Sequence, residues 1–558
     1  MKRYQCFTPA AIMAGLACAP VLNAQDWARI RSGAEQTLSF KVAIPLTAFR
    51  LTFAEALAQL GPLQVKNVEA FSTQQVRPDL AKTLGPGLNA TEIAAVKSGL
   101  RGQRLTAYSV SSIGPDETAA RELFQFASDL KIETIISAPA PEGLSLIDKL
   151  AAEFNVNVAV ANGGNPEELR KLLEAQSARI GVCADLEQWR HAGIKPLEGL
   201  AALGDRLMAV RLRDSGAAET KDFFLALHRR KARPVLFTFD AAALPDPVTV
   251  LSARLDAYET ALIPVMTEYV NELGRTTAIR TIDAQTHLTE EEKAGARRKM
   301  DAAMPSRPKA TPRKPRKLLV IDLQVGYPGH PSIPYANYVL DRFGKKTGAW
   351  KATFSNDLTN FRYDQLRRFD AIFLNNTVGM LFPDPEARAA IVRYLKDGGG
   401  LIGYHASTHA SIDWPEFTEI IGASSGGHRE ATEKVTVKLD DAASPINAAF
   451  AGREFESIDE HFRWTNFSRQ RVHVLLSIDV PKSDMNQGRG CNICTRADND
   501  YAISWIRSYG KGRVFYTSLG HAPGAFMDQR ILGQMLAGIQ FALGDLDADT
   551  TPGNQPAN

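Results

Sequence analysis

From residue 39 to 240, short apolar runs alternate with amphipathic stretches. Runs rich in β-branched and aromatic residues fall at 40–46, 65–71, 105–110, 132–137, 156–160, 180–184, 207–212 and 234–239. Most intervals carry apolar residues three and four apart, as at 115–130, 166–175 and 222–230. The first pattern reads as buried strand, the second as helix with one face turned inward. Eight such strands with crossover helices predict a closed parallel (β/α)8 barrel of the TIM type. A long helix over 248–273 follows, and a further helical piece begins at Thr289, a good N-cap ahead of Glu290, Glu291 and Glu292. Residues 306–317 hold Pro308, Pro312 and Pro315 with six basic residues and no acid. Proline stops helices and like charges extend the chain, so this run reads as a solvated linker. Strand patterns then resume at 317–323, 371–375, 401–404, 434–439, 472–477, 502–506 and 513–518, with helices at 385–396 and 529–543. They predict an α/β sandwich of three layers, its later strands antiparallel at one edge. The expected organisation is therefore a barrel over 37–275, a helical and basic linker over 276–316, a second domain over 317–545 and a disordered tail over 546–558.

A chain of 558 residues suits two hydrophobic cores rather than one. The formal charge is only +3, and two of the positive charges, Lys2 and Arg3, precede a short apolar stretch at 10–19. That combination reads as a secretory leader cleaved after Ala24, which predicts a periplasmic or secreted protein; an uncleaved leader serving as an anchor is the alternative. The nearly neutral remainder gives no basis for nucleic-acid binding. No later stretch is long and apolar enough to span a bilayer, so no transmembrane segment is expected after cleavage. Of five cysteines, Cys6 and Cys18 belong to the leader and Cys183 sits in an apolar strand. Cys491 and Cys494 form a C-x-x-C followed by Thr495, which does not support haem attachment, and no second such pair exists to complete a zinc site. In an exported protein a local disulfide is the expected state, with a redox centre as the alternative.

Candidate chemistry gathers in the second domain. His330, His405, His428 and His521 fall at predicted strand ends, as does the acidic pair Asp459–Glu460. Strand ends on one edge of an α/β sheet bring distant residues together. Neutral imidazoles bind transition metals or move protons near neutral pH, and a carboxylate orients them. His330, His405, His428 and His521 are the candidate metal ligands, suited to zinc or a similar divalent transition metal. The metal-free alternative makes His405, His521, His330 and Glu460 the acid–base residues. Tyr404, Trp414 and Trp505, with Asp459, are candidate substrate contacts, since aromatic faces suit sugar rings. His409 and His461 read as supporting or surface residues, and His473 as strand packing.

The segment Gly398-Gly399-Gly400-Leu401-Ile402-Gly403-Tyr404-His405 resembles the glycine-rich strand entry and histidine turn of the ThuA-like (trehalose utilisation) family. Trp414-x-x-Phe417, Ile421-Gly422, Gly427-His428 and Asp459-Glu460-His461-Phe462 follow in the family's order. The stretch 510–521, ending in Gly520-His521, is similar to the family's best-preserved segment. Gly326-Tyr327 and His330-Pro331-Ser332-Ile333 resemble its first loop, with extra residues between glycine and histidine. The resemblance spans roughly 317–545 and implies a class I glutamine amidotransferase-like fold. Those enzymes carry a nucleophilic cysteine at the turn where this chain has His405, so thiolate amidotransfer is not expected. The family's association is with disaccharide breakdown, including keto-sugar intermediates.

Residues 37–240 resemble the sugar phosphate isomerase/epimerase barrels, through Gly181-Val182-Cys183-Ala184-Asp185, 191–197 and Val210-Arg211-Leu212-Arg213-Asp214. The resemblance implies a divalent metal held by two glutamates, an aspartate and a histidine. Only Asp185 matches. The fifth strand ends in Asn162, Arg211 stands where the histidine is expected, and the eighth strand ends near Asp240. The expectation is a degenerate barrel site at Asp185 and Arg211, beside a second domain that acts on small carbohydrates as a lyase, hydrolase or isomerase. Two other expectations are a non-catalytic carbohydrate-binding or scaffold protein, and an epimerase with its metal near Asp185.

Overall fold

The computed structural model describes residues 24–553 apart from 162–163, 213–216, 233, 241 and 487–493. Most of the leader, Asn162, Arg213, Asp214 and Cys491 lie outside the described residues. All eight predicted strands form, at Phe40–Pro45, Asn67–Phe71, Arg104–Ser109, Thr134–Ser137, Asn157–Val160, Ile180–Asp185, Leu207–Leu212 and Val235–Phe239. They close into one parallel barrel. Its interior is filled by small side chains, Ala43, Ala107, Ala159 and Ala209, interleaved with Ile136, Met208 and Leu236. Alternating small and large residues let eight inward-facing strands pack without a pore. Helix Ala24–Leu38 precedes the barrel, and helix Pro247–Thr276 ends it.

The second domain is built on a nine-stranded mixed sheet. Strands Lys351–Phe354, Lys317–Ile321, Ala371–Asn375, Gly400–Tyr404 and Gly512–Thr517 lie side by side and parallel. Ala502–Tyr509, His473–Ile478, Glu433–Leu439 and Phe455–Asp459 extend it antiparallel, as expected for the later strands. Helices Pro385–Lys396 and Gln529–Leu543 form where predicted. The helix Ile333–Thr347 and the edge strand Phe455–Asp459 were not anticipated. One apolar cluster runs through both domains, joining Ile30 and Val265 to Leu319, Leu323 and Met380.

Two expectations need correction. The basic run 306–317 is no solvated linker: the backbone amides of Lys309 and Ala310 donate to Gln540, and Arg316 pairs with buried Asp545 at 2.6 Å and with Asp370 at 3.1 Å. The acids that fix this run lie on distant segments, which local composition cannot reveal. The tail is likewise held as far as Gly553: the Thr551 carbonyl accepts from His473 and the Gly553 amide donates to the Arg469 carbonyl. Thr289 does cap its helix, with Glu292 closing a capping box. Cys494 is disulfide-bonded.

Candidate functional site

The site lies where the parallel strands of the second domain end. Strand Gly400–Tyr404 delivers His405 into a single 3-10 turn with a φ of 46°, a left-handed conformation that costs a non-glycine residue about 1–2 kcal/mol. The ring is fully buried and stacks on Phe462, centroids 4.6 Å apart. The Tyr516 hydroxyl donates to the His405 carbonyl at 2.7 Å, fixing the turn from the neighbouring strand. His405 Nδ1 lies 2.7 Å from the Ser518 carbonyl, which can only accept, so Nδ1 carries the proton. In the neutral ring, Nε2 is then the free lone pair.

Glu460 follows the edge strand Phe455–Asp459, and the imidazoles converge on its carboxylate. His405 Nε2 is 3.2 Å from one oxygen, while His428 Nδ1 and His521 Nε2 are 3.3 and 3.9 Å from the other. His330, on the loop before helix Ile333–Thr347, brings its ring centroid within 5.1 Å of His405 and 5.6 Å of His521. One ligand atom each from His330, His405 and Glu460 lies within 4.8 Å of the others. The four histidines and the glutamate proposed from sequence therefore share one cleft.

The polar atoms facing this point lack partners. His330 Nδ1, His405 Nε2 and His428 Nδ1 are buried without hydrogen bonds. Glu460 stands 3.2 Å from His405 Nε2, a nitrogen that carries no proton in this tautomer. Buried polar atoms are normally satisfied, so a cluster of such orphans points to a bound group. Ligands about 2.1 Å from a tetrahedral ion stand about 3.4 Å apart, and the closest spacings here are similar. The donor set, imidazoles with one carboxylate, fits zinc or a related transition ion.

The electrostatics favour the ligand forms. Burial, reinforced by the nearby His405, pushes His330 down to about 3. Burial opposes ionisation of Glu460, but His405, then His521 and His428, hold its carboxyl down to about 2. Burial also lowers His521. A neutral imidazole and an ionised carboxylate are the states that bind a cation.

Other proposed residues have different places. Tyr404, Trp414 and Trp505 are 0, 2 and 0% exposed, so they offer no open face to a sugar. Trp505 stacks on Tyr516 at 4.3 Å and donates its indole N–H to the Ile421 carbonyl. All three belong to the core behind the site, because large aromatic residues are more valuable there than at a wet rim. Asp459, expected to contact substrate, is also buried. Its carboxylate accepts from the backbone amides of Glu460, Gly520 and Ala522 at 2.9, 2.7 and 3.1 Å. It thereby ties Glu460 to the loop carrying His521. His409 and His461 are not surface residues; burial pushes both down to about 4. His473 spans Asp441 and the tail.

In the barrel mouth, Arg211 reaches across to Glu69 at 2.9 Å. Glu69 is fully buried and also accepts from the hydroxyls of Ser109, at 2.6 Å, and Thr238. Sequence reasoning missed Glu69, which sits in a short apolar strand 142 residues from its partner. A guanidinium thus occupies the centre of a mouth that Cys183, Asp185 and Asp240 also border. Asp185 caps helix Leu186–His191 through the amides of Glu187 and Gln188. A cationic side chain paired at that position does not fit a divalent metal there.

Residues 317–542 match the family described as ThuA, trehalose utilisation. The second domain therefore resembles the ThuA family, and the first is a closed eight-stranded parallel barrel. Among solved structures, the chain is similar to a ThuA-like protein from Parabacteroides merdae, with 21% identity over 44% of this chain and 96% of that one and a TM-score of 0.33. It is also similar to a ThuA-like protein from Bacteroides uniformis, with 21% identity over 41% and 93% and a TM-score of 0.34. A D-allulose 3-epimerase from Methylomonas sp., in complex with D-allulose, matches at 15% identity over 42% and 97% with a TM-score of 0.30. No curated protein matches the chain.

Proposed function

We propose that the protein is an exported carbohydrate-processing enzyme whose ThuA-like domain acts on a disaccharide-derived or keto-sugar substrate. The reading rests on one observation: His405, His428 and His521 converge on Glu460, with His330 within 4.8 Å, while three of the four histidines' nitrogens lack hydrogen-bond partners. His330, His405 and Glu460 would hold a divalent transition ion. Such an ion polarises a carbonyl or hydroxyl oxygen and acidifies the proton beside it. The chain's own residues supply the proton transfers. His521 is partly exposed at the rim, and its lowered affinity for protons makes it a base rather than a standing cation. His428, also at the rim, approaches the same Glu460 oxygen as His521 and is placed to return the proton. His405 keeps one tautomer through Ser518, so it holds its ligand geometry without exchanging protons itself. This combination suits proton-transfer chemistry of the lyase, hydrolase or isomerase class on sugars.

A non-catalytic barrel accompanies this reading, supported by the Arg211–Glu69 pair in its mouth. The test is a turnover assay on disaccharides and their 3-keto derivatives, with and without added zinc or cobalt, alongside His405→Ala. Metal-dependent turnover that disappears in the variant is expected. Turnover that survives His405→Ala would remove the chemistry from this domain. Failure to bind metal or turn over any sugar would favour a binding or scaffold protein.

A further inference from the structure

The loop that carries His330 is held from outside its own domain. Arg280 lies in the segment between barrel and second domain. Its backbone amide donates to Asp322 Oδ2 at 3.0 Å, and its guanidinium donates to the Asp322 carbonyl at 2.8 Å and the Pro328 carbonyl at 3.4 Å. Its own carbonyl accepts from Asn337 at 2.9 Å. From the barrel side, Gln36 donates its side-chain amide to the Gly326 carbonyl at 2.8 Å. Gln36 belongs to helix Ala24–Leu38, which packs on barrel strand Phe40–Pro45 and on helix Pro247–Thr276.

The glycines of this loop sit under those two side chains. Gly326 has a φ of 72°, and a Cβ there would approach Gln36 to 3.2 Å. Gly329 has a φ of 105°, and a Cβ there would lie 3.2 Å from the Arg280 guanidinium. Both positions need glycine for conformation and for the close approach of the clamping residue. Beneath the loop, fully buried Asp322 also accepts from Asn337 and Asn356 at 2.7 and 2.8 Å, and Asn337 accepts from Asn375 at 2.9 Å. The loop is therefore fixed below by its own domain and above by Arg280 and Gln36.

We propose that the barrel and the connecting segment brace the candidate site. Arg280 and Gln36 are positioning residues that fix the loop 322–330 so that His330 faces Glu460. This gives the barrel a role that needs no chemistry in its own mouth. The metal readout rests on the function proposed above; the loop-ordering readout does not.

The test uses the full-length chain and the variants Arg280→Met, Gln36→Ala, His330→Ala and Arg280→Met/His330→Ala. Hydrogen exchange measured by mass spectrometry reads the loop directly. Segment 322–333 should lose protection in Arg280→Met and, less, in Gln36→Ala, while the barrel strands and central sheet keep theirs. Cobalt binding, followed by its visible spectrum, reads the site. Arg280→Met should weaken binding by about 10–100-fold, shift the spectrum toward that of His330→Ala, and add nothing further in the double variant. Unchanged loop protection in both Arg280→Met and Gln36→Ala would overturn the brace, whether or not cobalt binds. Lost protection with wild-type cobalt affinity and spectrum would overturn it as well. A wild-type protein that binds no cobalt removes the metal function, and loop exchange then decides the brace alone. Gln36→Ala keeps the test open if Arg280→Met fails to fold.

Discussion

At the scale of single residues, the backbone of His405 is the clearest mark of a site. A buried histidine in left-handed conformation is held there by Tyr516 and Ser518 against its own preference. Strain kept at such a position is characteristic of functional turns. Asparagine tolerates that conformation well but has no atom where Nε2 stands. His405→Asn should therefore keep the turn while cutting zinc or cobalt affinity by more than about 100-fold, as read by chelator competition, with a lower thermal midpoint from the cavity left beside Phe462. Asp459 makes the complementary case, because it holds others without facing the ligand point. Asp459→Asn leaves at least one of three backbone amides without an acceptor, at about 1–3 kcal/mol. The expected result is a lower urea midpoint together with weaker metal binding, as the loop carrying His521 loosens. The histidines and Glu460 were legible in the sequence because each ends or follows a strand and sits in a motif. The aromatic residues beside them misled, because a tryptophan next to a site looks the same in sequence whether it lines the cleft or backs it.

At the scale of elements, periodicity located the buried strands and failed at the edges. Every barrel strand is buried on both faces or nearly so, and most read as short apolar runs. The edge strand Phe455–Asp459 carries two acids, Glu456 and Asp459, in five residues and exposes Glu456 and Ile458, so it does not read as strand. Yet this strand delivers Asp459 and Glu460. The helix Ile333–Thr347 hides for a different reason: its first turn contains a proline and follows a histidine-proline pair that suggests loop. Long-range pairing is also invisible to local pattern. Glu69 and Arg211 lie on barrel strands that are not neighbours, and only closure of the barrel brings them together. Removing one partner strands a buried charge, which costs about 3–5 kcal/mol. Arg211→Met should lower the urea midpoint accordingly, and Glu69→Gln/Arg211→Met should recover much of the loss. Adding zinc or manganese to Arg211→Met tests whether the vacated mouth takes a metal; no stabilisation is expected, since only one carboxylate is then free of hydrogen-bonded backbone duties.

At the scale of the whole molecule, burial of neutral histidines makes stability depend on pH in one direction. His409 and His461 take up protons near pH 4 in the folded chain and His330 near pH 3, because burial disfavours their charged forms. Unfolded, each titrates near its ordinary value of about 6.5. Between about pH 6.5 and 4 the unfolded chain therefore binds more protons, so stability rises with pH across that window and falls as acid is added. Glu460 acts with the same sign at lower pH: it ionises at about 2 when folded and at about 4.5 when unfolded, so its contribution is present above 4.5 and is lost as pH falls toward 2. The histidines alone account for a loss of a few kcal/mol between pH 6.5 and 4. His461 is fully buried and is not one of the three residues that would hold the metal, so in chelator it reads the burial effect by itself. His461→Gln cannot take up a proton in either state, so its urea midpoint should vary less over this range than that of the wild type. An equal slope for both proteins would place the acid sensitivity elsewhere. A metal held at the proposed site would steepen the wild-type curve further, since an ion that binds only the folded chain adds about 2.7 kcal/mol at a hundredfold excess over its Kd and is displaced as its ligands protonate. Comparing the curves with zinc and with chelator therefore separates the two sources: the burial term persists in chelator, and the ligand term does not.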